Sequence, residues 1–335
     1  MSQNQIFDRS TLLKILIGSF LGILAIWLAF RGVSFRELGA VLSKANPWLV
    51  TFGILIVFLN VAILAFRWWL MLLRDWKTTE YGTLLGGVYL GQMFNILLPA
   101  RLGELARIFF VSERMEVTKS GLFGSLVLEK VLEVIAFGLA ITFLITALAL
   151  PTWVTEPGQT FLVLALIALL AMAALLLWGR KFLLWATPIL GKLPGEWGER
   201  VAGILERALT GFDSMRSWKR QLPIWVLTFS SLFLSALTNY LILGAVGIQA
   251  PFTAALFVLI VLQVGSAPPS APGKLGVFHY LAVLALSAFG VEKDLALAYS
   301  VVLYVVALLP KILIGVGVLV FSRWRIPELR LKVES

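Results

Sequence analysis

Several apolar runs in this sequence are as long as a membrane is thick. Residues 48–66, 160–178 and 222–246 contain no charged residue, and residues 12–30 contain only Lys14. About 20 such residues cross the hydrocarbon core as a helix. Lipid offers the backbone no hydrogen-bond partners, so each crossing segment has to be helical. These runs therefore predict a multi-pass helical membrane protein.

The composition supports the same class. Apolar residues make up 60% of the chain and charged residues 14%, whereas soluble proteins carry about 25% charged residues. The net charge of +10 then indicates basic cytoplasmic loops and attraction to anionic lipid headgroups. Without a soluble basic domain we expect no nucleic-acid partner. There is no Cys and only one His, so we predict neither a metal site nor a cofactor.

Basic residues are distributed unevenly between the loops. Residues 180–221 contain eight Lys or Arg, and the tail at 323–335 is also basic. The loops at 151–158 and 247–250 contain none. The positive-inside rule therefore places residues 180–221, the tail and the N-terminus in the cytoplasm. We expect the protein in the cell membrane.

Two segments are harder to place. Arg31, Arg36 and Lys44 lie in a loop that this topology puts outside, which conflicts with the rule. Residues 195–221 form an amphipathic cytoplasmic connector. Its apolar residues recur at helical spacing, so it either lies on the membrane surface or packs on the bundle.

Two apolar stretches are interrupted by proline and glycine. Residues 84–98 are followed by the first break, residues 99–104, and residues 254–264 by the second break, residues 267–276. Proline removes a backbone donor and restricts the residue before it. Each stretch therefore predicts a broken helical hairpin at membrane depth, tolerated only inside protein or beside a wet cavity.

The two breaks resemble each other. Pro-Ala-Arg-Leu-Gly at 99–103 aligns with Pro-Gly-Lys-Leu-Gly at 272–276 at an offset of 173. A five-residue match also arises by chance, but the flanking spans align at similar offsets. We predict repeats at 10–150 and 159–322 within one membrane domain covering residues 1–335. Three crossings per half would invert the second repeat, as in many transporters.

The predicted fold is thus all-α and polytopic. It has about six full transmembrane helices and two broken, re-entrant-like hairpins. The alternative, in which every hairpin arm crosses the membrane fully, leaves the topology unchanged, so charge distribution does not decide between them.

Ionisable residues at membrane depth need a reason to be there. Arg101, Glu104 and Arg107 follow the first break at a spacing of three, and Asn95 precedes it by one turn. The arginines suit a lipid phosphate, and the start of the resumed helix adds partial positive charge. The alternatives are an Arg–Glu pair that only holds the hairpin, and an interfacial loop.

The next long helix carries charges near its start. Glu129 and Glu133 share a face and can pair with Arg101 or Arg107, with Lys130 between them. Ordinary interfacial charge is the alternative.

Near the end of the preceding span, Arg67 beside Trp68 and Trp69 is interpreted as an interface anchor. Tryptophans near span ends, including Trp48 and Trp324, fit the aromatic belt of a membrane protein.

The second half offers its own candidates. Lys274 is the counterpart of Arg101 and either binds a headgroup, gates the path or snorkels to the interface. His279 either couples protons or is a hydrogen-bonded interior histidine. Lys311 lies too far from its helix end to snorkel, so it should face the bundle interior. The residues that shape the two breaks are Pro99, Gly103, Pro272, Gly273 and Gly276.

These motifs carry a family resemblance. The pattern from Asn95 through Pro99, Arg101, Gly103 and Glu104 to Arg107 resembles a signature of the lysylphosphatidylglycerol synthase transmembrane family, also called flippase-like. Residues 128–130 and 272–277 resemble its later motifs, and the likeness covers residues 10–322. Lys274 stands where that family usually has Gly, and His279 where it often has Glu.

The resemblance implies a domain that moves or presents a lipid. Two-domain members add a soluble aminoacyl-transferring domain, but this sequence has only a short tail after its last span, so no synthase activity is expected. We expect a stand-alone flippase for an anionic phospholipid or polyprenyl-phosphate-linked lipid, and not an enzyme. The alternatives are an enzyme or accessory subunit acting on lipid-linked sugars, through Glu104 with Glu129 or Glu133, and a lipid-binding scaffold of envelope biogenesis. The sequence does not identify a protein partner.

Overall fold

The structure is a computed structural model that describes most of the two predicted halves. Pro99, Arg101, the predicted first span at 12–30 and nearly all of the connector at 195–221 lie outside the described residues. The basic tail does too, apart from Trp324. The described residues are 39, 42–72, 78–98, 102–115, 117–148, 159–160, 162–172, 174, 178, 203, 206, 218–266, 272–274, 276–322 and 324.

The described chain is helical and contains no strand, which confirms the predicted all-α class. A 3₁₀ turn at Pro272–Lys274 stands in the second break. The helices are α1 Pro47–Met71, α2 Thr78–Leu97, α3 Gly103–Ser112, α4 Lys119–Ala147, α5 Leu162–Met172, α6 Trp218–Ala245, α7 Phe252–Gly265, α8 Val277–Ser287 and α9 Lys293–Ser322.

Four of these helices are long and apolar enough to cross a membrane: α1, α4, α6 and α9. They contain 25 to 30 residues each, or about 37–45 Å of helix at 1.5 Å per residue. Large apolar side chains such as Trp48, Phe52, Leu55 and Leu59 are exposed along α1. Such a surface suits lipid, not water. Of the six predicted spans, one lies outside the described residues and another is described only in part, as α5.

Three of the four helices beside the breaks are much shorter, whereas α2 has 20 residues. α3 has 10 residues, α7 has 14 and α8 has 11, so they extend only about 15–21 Å. α3 runs back along α2, because Gly103 contacts Asn95 near the tip and Gly87 lies against Val111 farther away. A helix of this length cannot cross a hydrocarbon core about 30 Å thick. The lengths of α3, α7 and α8 therefore favour re-entrant hairpins over hairpins in which both arms cross fully.

The long helices α1 and α6 lie antiparallel along their whole length. The Asn46 backbone N–H donates to the Ala245 carbonyl at 2.8 Å, at one end of the pair. Asn60 Nδ2 donates to Ser235 Oγ at 2.9 Å in the middle. The end of α1 contacts the beginning of α6. We call this contact the α1–α6 seam.

The remaining helix contacts come in matched pairs. α2 packs on α9 as α7 packs on α4, and α1 also touches α9 as α6 touches α4. Each hairpin lies in its own buried apolar cluster, one built around Trp68 and Leu128, the other around Phe257 and Tyr299. An inverted repeat would produce such reciprocal contacts, and the repeat at 10–150 and 159–322 stays a prediction.

Candidate functional site

Six charged side chains from three helices form one network of ion pairs beside the first hairpin. α1 contributes one arginine, α3 an arginine and a glutamate, and α4 two glutamates and a lysine. We call this network the charge cluster. Its members are Arg67, Glu104, Arg107, Glu129, Lys130 and Glu133.

The inner part of the charge cluster is buried. Glu129 lies between two arginines: its Oε1 is 3.3 Å from Arg67 Nη2 and its Oε2 is 3.1 Å from Arg107 Nη2. The side chains of all three are at most 5% exposed. Removing one member of such a group leaves the others charged and without a partner in a medium of low dielectric constant, which destabilises the fold. The inner part therefore ties α1, α3 and α4 together.

The outer part of the charge cluster is accessible. Lys130 Nζ lies 3.3 Å from Glu104 Oε1 and 3.1 Å from Glu133 Oε2. The side chain of Lys130 is 44% exposed, and those of Glu104 and Glu133 are 28% exposed. Arg67 also contacts Glu133, at 3.0 Å. One edge of the cluster is thus accessible to a polar group of another molecule, although the centre of the cluster is buried.

Trp68 supports the buried arginine of α3. The guanidinium carbon of Arg107 lies 3.6 Å from the centroid of the Trp68 ring, a cation–π geometry. The indole Nε1–H of Trp68 donates to Ser125 Oγ at 2.8 Å. The interpretation of Trp68 as a belt residue was wrong, because contacts with α3 and α4 bury it completely.

The interpretation of Arg67 as an interface anchor was also wrong. Its side chain is fully buried and donates to Thr228 Oγ1 on α6 at 3.3 Å as well as to Glu133. Arg67 thus links the α1–α6 seam to the charge cluster. Trp324 is likewise buried, where it packs on Phe110 and donates to Glu113 Oε2 at 2.7 Å.

Asn95 caps α3 from across the hairpin. No side chain of the preceding residue caps this helix. Asn95 Oδ1 instead accepts the Gly103 N–H at 2.9 Å, and its Nδ2 donates to Glu104 at 3.4 Å. A Cβ on Gly103 would overlap the Gly91 carbonyl oxygen and the Asn95 side chain. Only glycine therefore permits this close approach of α2 and α3.

The second break is held by a lysine, hydroxyl groups and left-handed backbone. Lys274 Nζ donates to Ser266 Oγ at 3.1 Å, and the Tyr304 hydroxyl donates to the Gly273 carbonyl at 2.7 Å. The φ angles of Gly273, Lys274 and Gly276 are 73°, 56° and 83°. Glycine adopts this region freely, whereas a lysine there is uncommon. Pro272 begins the 3₁₀ turn.

His279 is a buried, hydrogen-bonded histidine on α8. Its Nδ1 lies 2.9 Å from Ser300 Oγ on α9, which matches the interior reading of the two that the sequence left open. Lys311, farther along α9, is partly buried and lies within electrostatic range of Lys274. Among the described residues no group of His, Asp and Glu could hold a metal ion.

The structure brings most of the predicted site residues together, but in two places. The expected pairing of Arg107 with Glu129 is present, whereas Glu133 pairs with Arg67 and Lys130. Lys274, His279 and Lys311 lie with the second break. Asn95, Glu104 and Gly103 form the tip of the first hairpin. The roles of all these residues in headgroup binding stay predictions.

Sequence reasoning missed the part that Arg67 plays. The available signal was a charge inside a 25-residue helix of otherwise membrane-like composition, which needs a partner.

Comparison with known proteins identifies the family. The lysylphosphatidylglycerol synthase TM region matches residues 12–315, and this chain belongs to that family. A stretch of 127 residues, 38% of the chain, is 28% identical to the glycosyltransferase AglD of Haloferax volcanii. The stretch covers 20% of that relative, so the chain matches only a fifth of its length.

Proposed function

We propose that this protein is a lipid flippase that moves the headgroup of an anionic lipid across the cell membrane. The lipid is a phospholipid or a polyprenyl-phosphate-linked lipid, and its acyl chains stay in the bilayer. The observation that carries the proposal is the open edge of the charge cluster. Lys130, Glu104 and Glu133 are partly exposed in a helix bundle with a largely apolar surface.

A charge at the bilayer centre is costly, and so is a headgroup that crosses there. Polar groups along the protein surface lower that cost when they replace some of the lost water. Exposed ion pairs contribute only about 0–1 kcal/mol, so a lipid phosphate can take the place of a carboxylate beside Lys130 at small cost. The re-entrant hairpins supply the break in the apolar surface that such a path needs.

The buried arginine of α3 takes a supporting role in this proposal. Arg107 is engaged by Glu129 and by the Trp68 ring, so a headgroup would have to break a buried pair to reach it. We therefore assign Arg107 to holding the hairpin and Lys130 to contact with the lipid. Arg101 remains a candidate contact.

Reconstitution in liposomes tests the proposal. Vesicles contain phosphatidylglycerol labelled with a fluorophore that dithionite reduces only in the outer leaflet. Protein that moves lipid raises the reducible fraction above the outer-leaflet share, with or without an imposed proton gradient. We expect Lys130→Gln to slow this exchange about tenfold or more, because a charge-assisted contact is lost.

Lys219→Gln is the matched control, since Lys219 is exposed at the beginning of α6 and far from both breaks in sequence. It should exchange lipid at the wild-type rate. The proposal fails if wild-type vesicles equal protein-free vesicles under both conditions. It also fails if Lys130→Gln and Lys219→Gln behave alike.

We further propose that the end of the bundle with the open charges faces the cytoplasm. Arg114, Lys119, Lys219 and Arg220 are exposed at that end, as the positive-inside rule requires. The chain contains no Cys, so single cysteines can be placed freely. Lys219→Cys should react with a membrane-impermeant maleimide only from the cytoplasmic side, and Gln249→Cys only from outside. The opposite pattern would reverse the orientation.

A second candidate is an enzyme or accessory subunit that acts on lipid-linked sugars. The match to a glycosyltransferase and the meeting of three carboxylates favour it. Each of those carboxylates is within 3.3 Å of a cation, so a substrate would have to displace Lys130 or an arginine to use one. We therefore favour the reading in which the protein is not an enzyme.

Mass spectrometry of a polyprenyl-phosphate-linked sugar incubated with the protein separates the two candidates. A new product that disappears in Glu104→Gln, with no accompanying lipid movement, would replace the flippase proposal. If the lipid-linked sugar keeps its mass, no reaction has occurred and the flippase proposal is supported.

A further inference from the structure

Lys311 lies on α9 between the contact of this helix with the second break and its contact with α2. It lies 11 residues before the end of α9 at Ser322, about 16 Å along the helix axis, too far to reach the interface. Tyr304, two turns earlier on the same face, donates to the Gly273 carbonyl of the second break. One turn beyond Lys311, Gly315 lies against Met93 of α2.

The first hairpin lies on the other side of this point. α2 contacts both α9 and the 3₁₀ turn of the second break, and Met93 is only a few residues from the end of α2. Lys311 is therefore bracketed by the second break on one side and the first hairpin on the other. This position is near the middle of the long helix α9, so it lies at membrane depth.

The electrostatics at this point call for an anion. Within the described residues Lys311 has no hydrogen bond or ion pair, and the charge that acts on it is the like charge of Lys274. Two ammonium groups at membrane depth repel each other and lack bulk water.

The backbone beside the two lysines has the same preference. α8 begins in the second break at Gly276 and has no side-chain cap. The first N–H groups of a helix lack partners within it and carry partial positive charge, so they favour an anion. This supports the lysine pair as an anion site but does not define one alone.

We propose that Lys274 and Lys311 hold the phosphate group of a lipid when its headgroup is at mid-membrane. The inference rests on the proposed function and adds a second binding site to it. The open edge of the charge cluster binds the headgroup first, and the lysine pair binds it between the hairpins. Lysine suits a phosphate that passes through, because it acts as a point charge and imposes no bidentate geometry.

Binding in detergent tests the site without any transport. The thermal unfolding of the purified protein in a non-ionic detergent is followed while dihexanoyl phosphatidylglycerol, dihexanoylglycerol or inorganic phosphate is added. A ligand that binds the folded state raises the unfolding temperature with its concentration. We expect the phospholipid alone to do so, and Lys311→Gln to need about tenfold more of it for the same shift.

Three variants keep the test specific. Lys311→Arg keeps the charge and should bind nearly as the wild type does. Lys311→Met should fold at least as well as wild type, because replacing a buried charge with an apolar side chain does not destabilise, yet it should lose the phospholipid-dependent shift. Lys219→Gln should match wild type. Equal shifts in wild type and Lys311→Met overturn the site.

The other ligands identify the source of the anion. If inorganic phosphate shifts the unfolding temperature as much as the phospholipid does, the site takes free phosphate and the lipid assignment is overturned. If dihexanoylglycerol acts as well as the phospholipid, no phosphate is being recognised and the proposal is overturned too.

The liposome assay separates this site from the proposed function. Binding that depends on Lys311, without lipid movement by wild type, supports the site and removes the flippase. Lipid movement that continues in Lys311→Gln, together with binding that does not depend on Lys311, removes the site and leaves the flippase.

Discussion

The two hairpins of this protein share a design but are held by different chemistry. At the first, Arg107 pairs with Glu129, and Glu133 lies one turn later. At the second, His279 pairs with Ser300, and Tyr304 lies one turn later. The positions correspond at offsets of 171 and 172, close to the 173 that relates the breaks. An ion pair in one half is thus a neutral hydrogen bond in the other.

This difference assigns different tasks to the halves. A buried charge network costs much to form and more to break, so the first hairpin is held firmly to α1 and α4. No such network holds the second hairpin among the described residues. Its contacts are single hydrogen bonds, from Lys274 to Ser266, between His279 and Ser300, and from Tyr304 to the Gly273 carbonyl.

The largest expected effect comes from breaking the inner charge cluster. Glu129→Gln leaves Arg67 and Arg107 buried beside a neutral amide, and we expect about 3–5 kcal/mol less stability, measured by thermal or denaturant unfolding in detergent. Glu113→Gln is the control, because a glutamine there still accepts the Trp324 indole N–H. Equal stability of the two variants would contradict a structural role for the cluster.

The next largest loss of stability is expected from a substitution at the close contact in the tip of the first hairpin. Gly103→Ala places a methyl group on the Gly91 carbonyl and the Asn95 side chain, which should cost about 1–3 kcal/mol. Gly317→Ala meets nothing within 4 Å and should be neutral or slightly stabilising, because alanine favours helix. Unfolding temperatures in detergent compare the two. A neutral Gly103→Ala would show that the tip is less closely packed than described.

Ser300 is the counterpart of Glu129 in the second half, and its substitution should cost less stability. Ser300→Ala leaves the buried Nδ1 of His279 without its hydroxyl partner, at a cost of about 1–2 kcal/mol. The same unfolding measurement applies. A loss as large as that of Glu129→Gln would erase the proposed difference between the hairpins.

The smallest expected effect concerns the hydrogen bond from Tyr304. Tyr304→Phe removes the donor to the Gly273 carbonyl and should lower stability by about 0.5–1.5 kcal/mol. The binding of dihexanoyl phosphatidylglycerol should weaken as well, because the 3₁₀ turn positions Lys274. Unchanged binding together with reduced stability would limit Tyr304 to a structural role.

Much of this architecture could be predicted from the sequence. The apolar runs specified the long helices, and proline with glycine located both breaks. The three-residue spacing after the first break predicted a polar face on α3, and the pairing of Arg107 with Glu129 was one of the alternatives that the sequence left open. These predictions depend on apolar runs, on proline and glycine and on residue spacing, all of which can be read from neighbouring residues in the sequence.

The errors have one physical cause. Near a helix end, a charged or aromatic side chain at the interface and one buried against another helix look the same in sequence. The contacts of α1 with α6 and α4 decided that Arg67 and Trp68 are buried. Likewise, only the folded arrangement shows that Lys130 lies at the accessible edge and Arg107 at the buried centre.

The shortness of α3 and α8 has a consequence for the bilayer itself. These two arms extend about 15–16 Å, so each reaches only halfway into hydrocarbon about 30 Å thick. Lipids beside them must compress or tilt to meet the polar breaks, at a cost that grows with each ångström of mismatch. If the protein moves lipid as proposed, acyl-chain length should control the rate: movement should be fastest in thin bilayers and slow steadily as the chains lengthen.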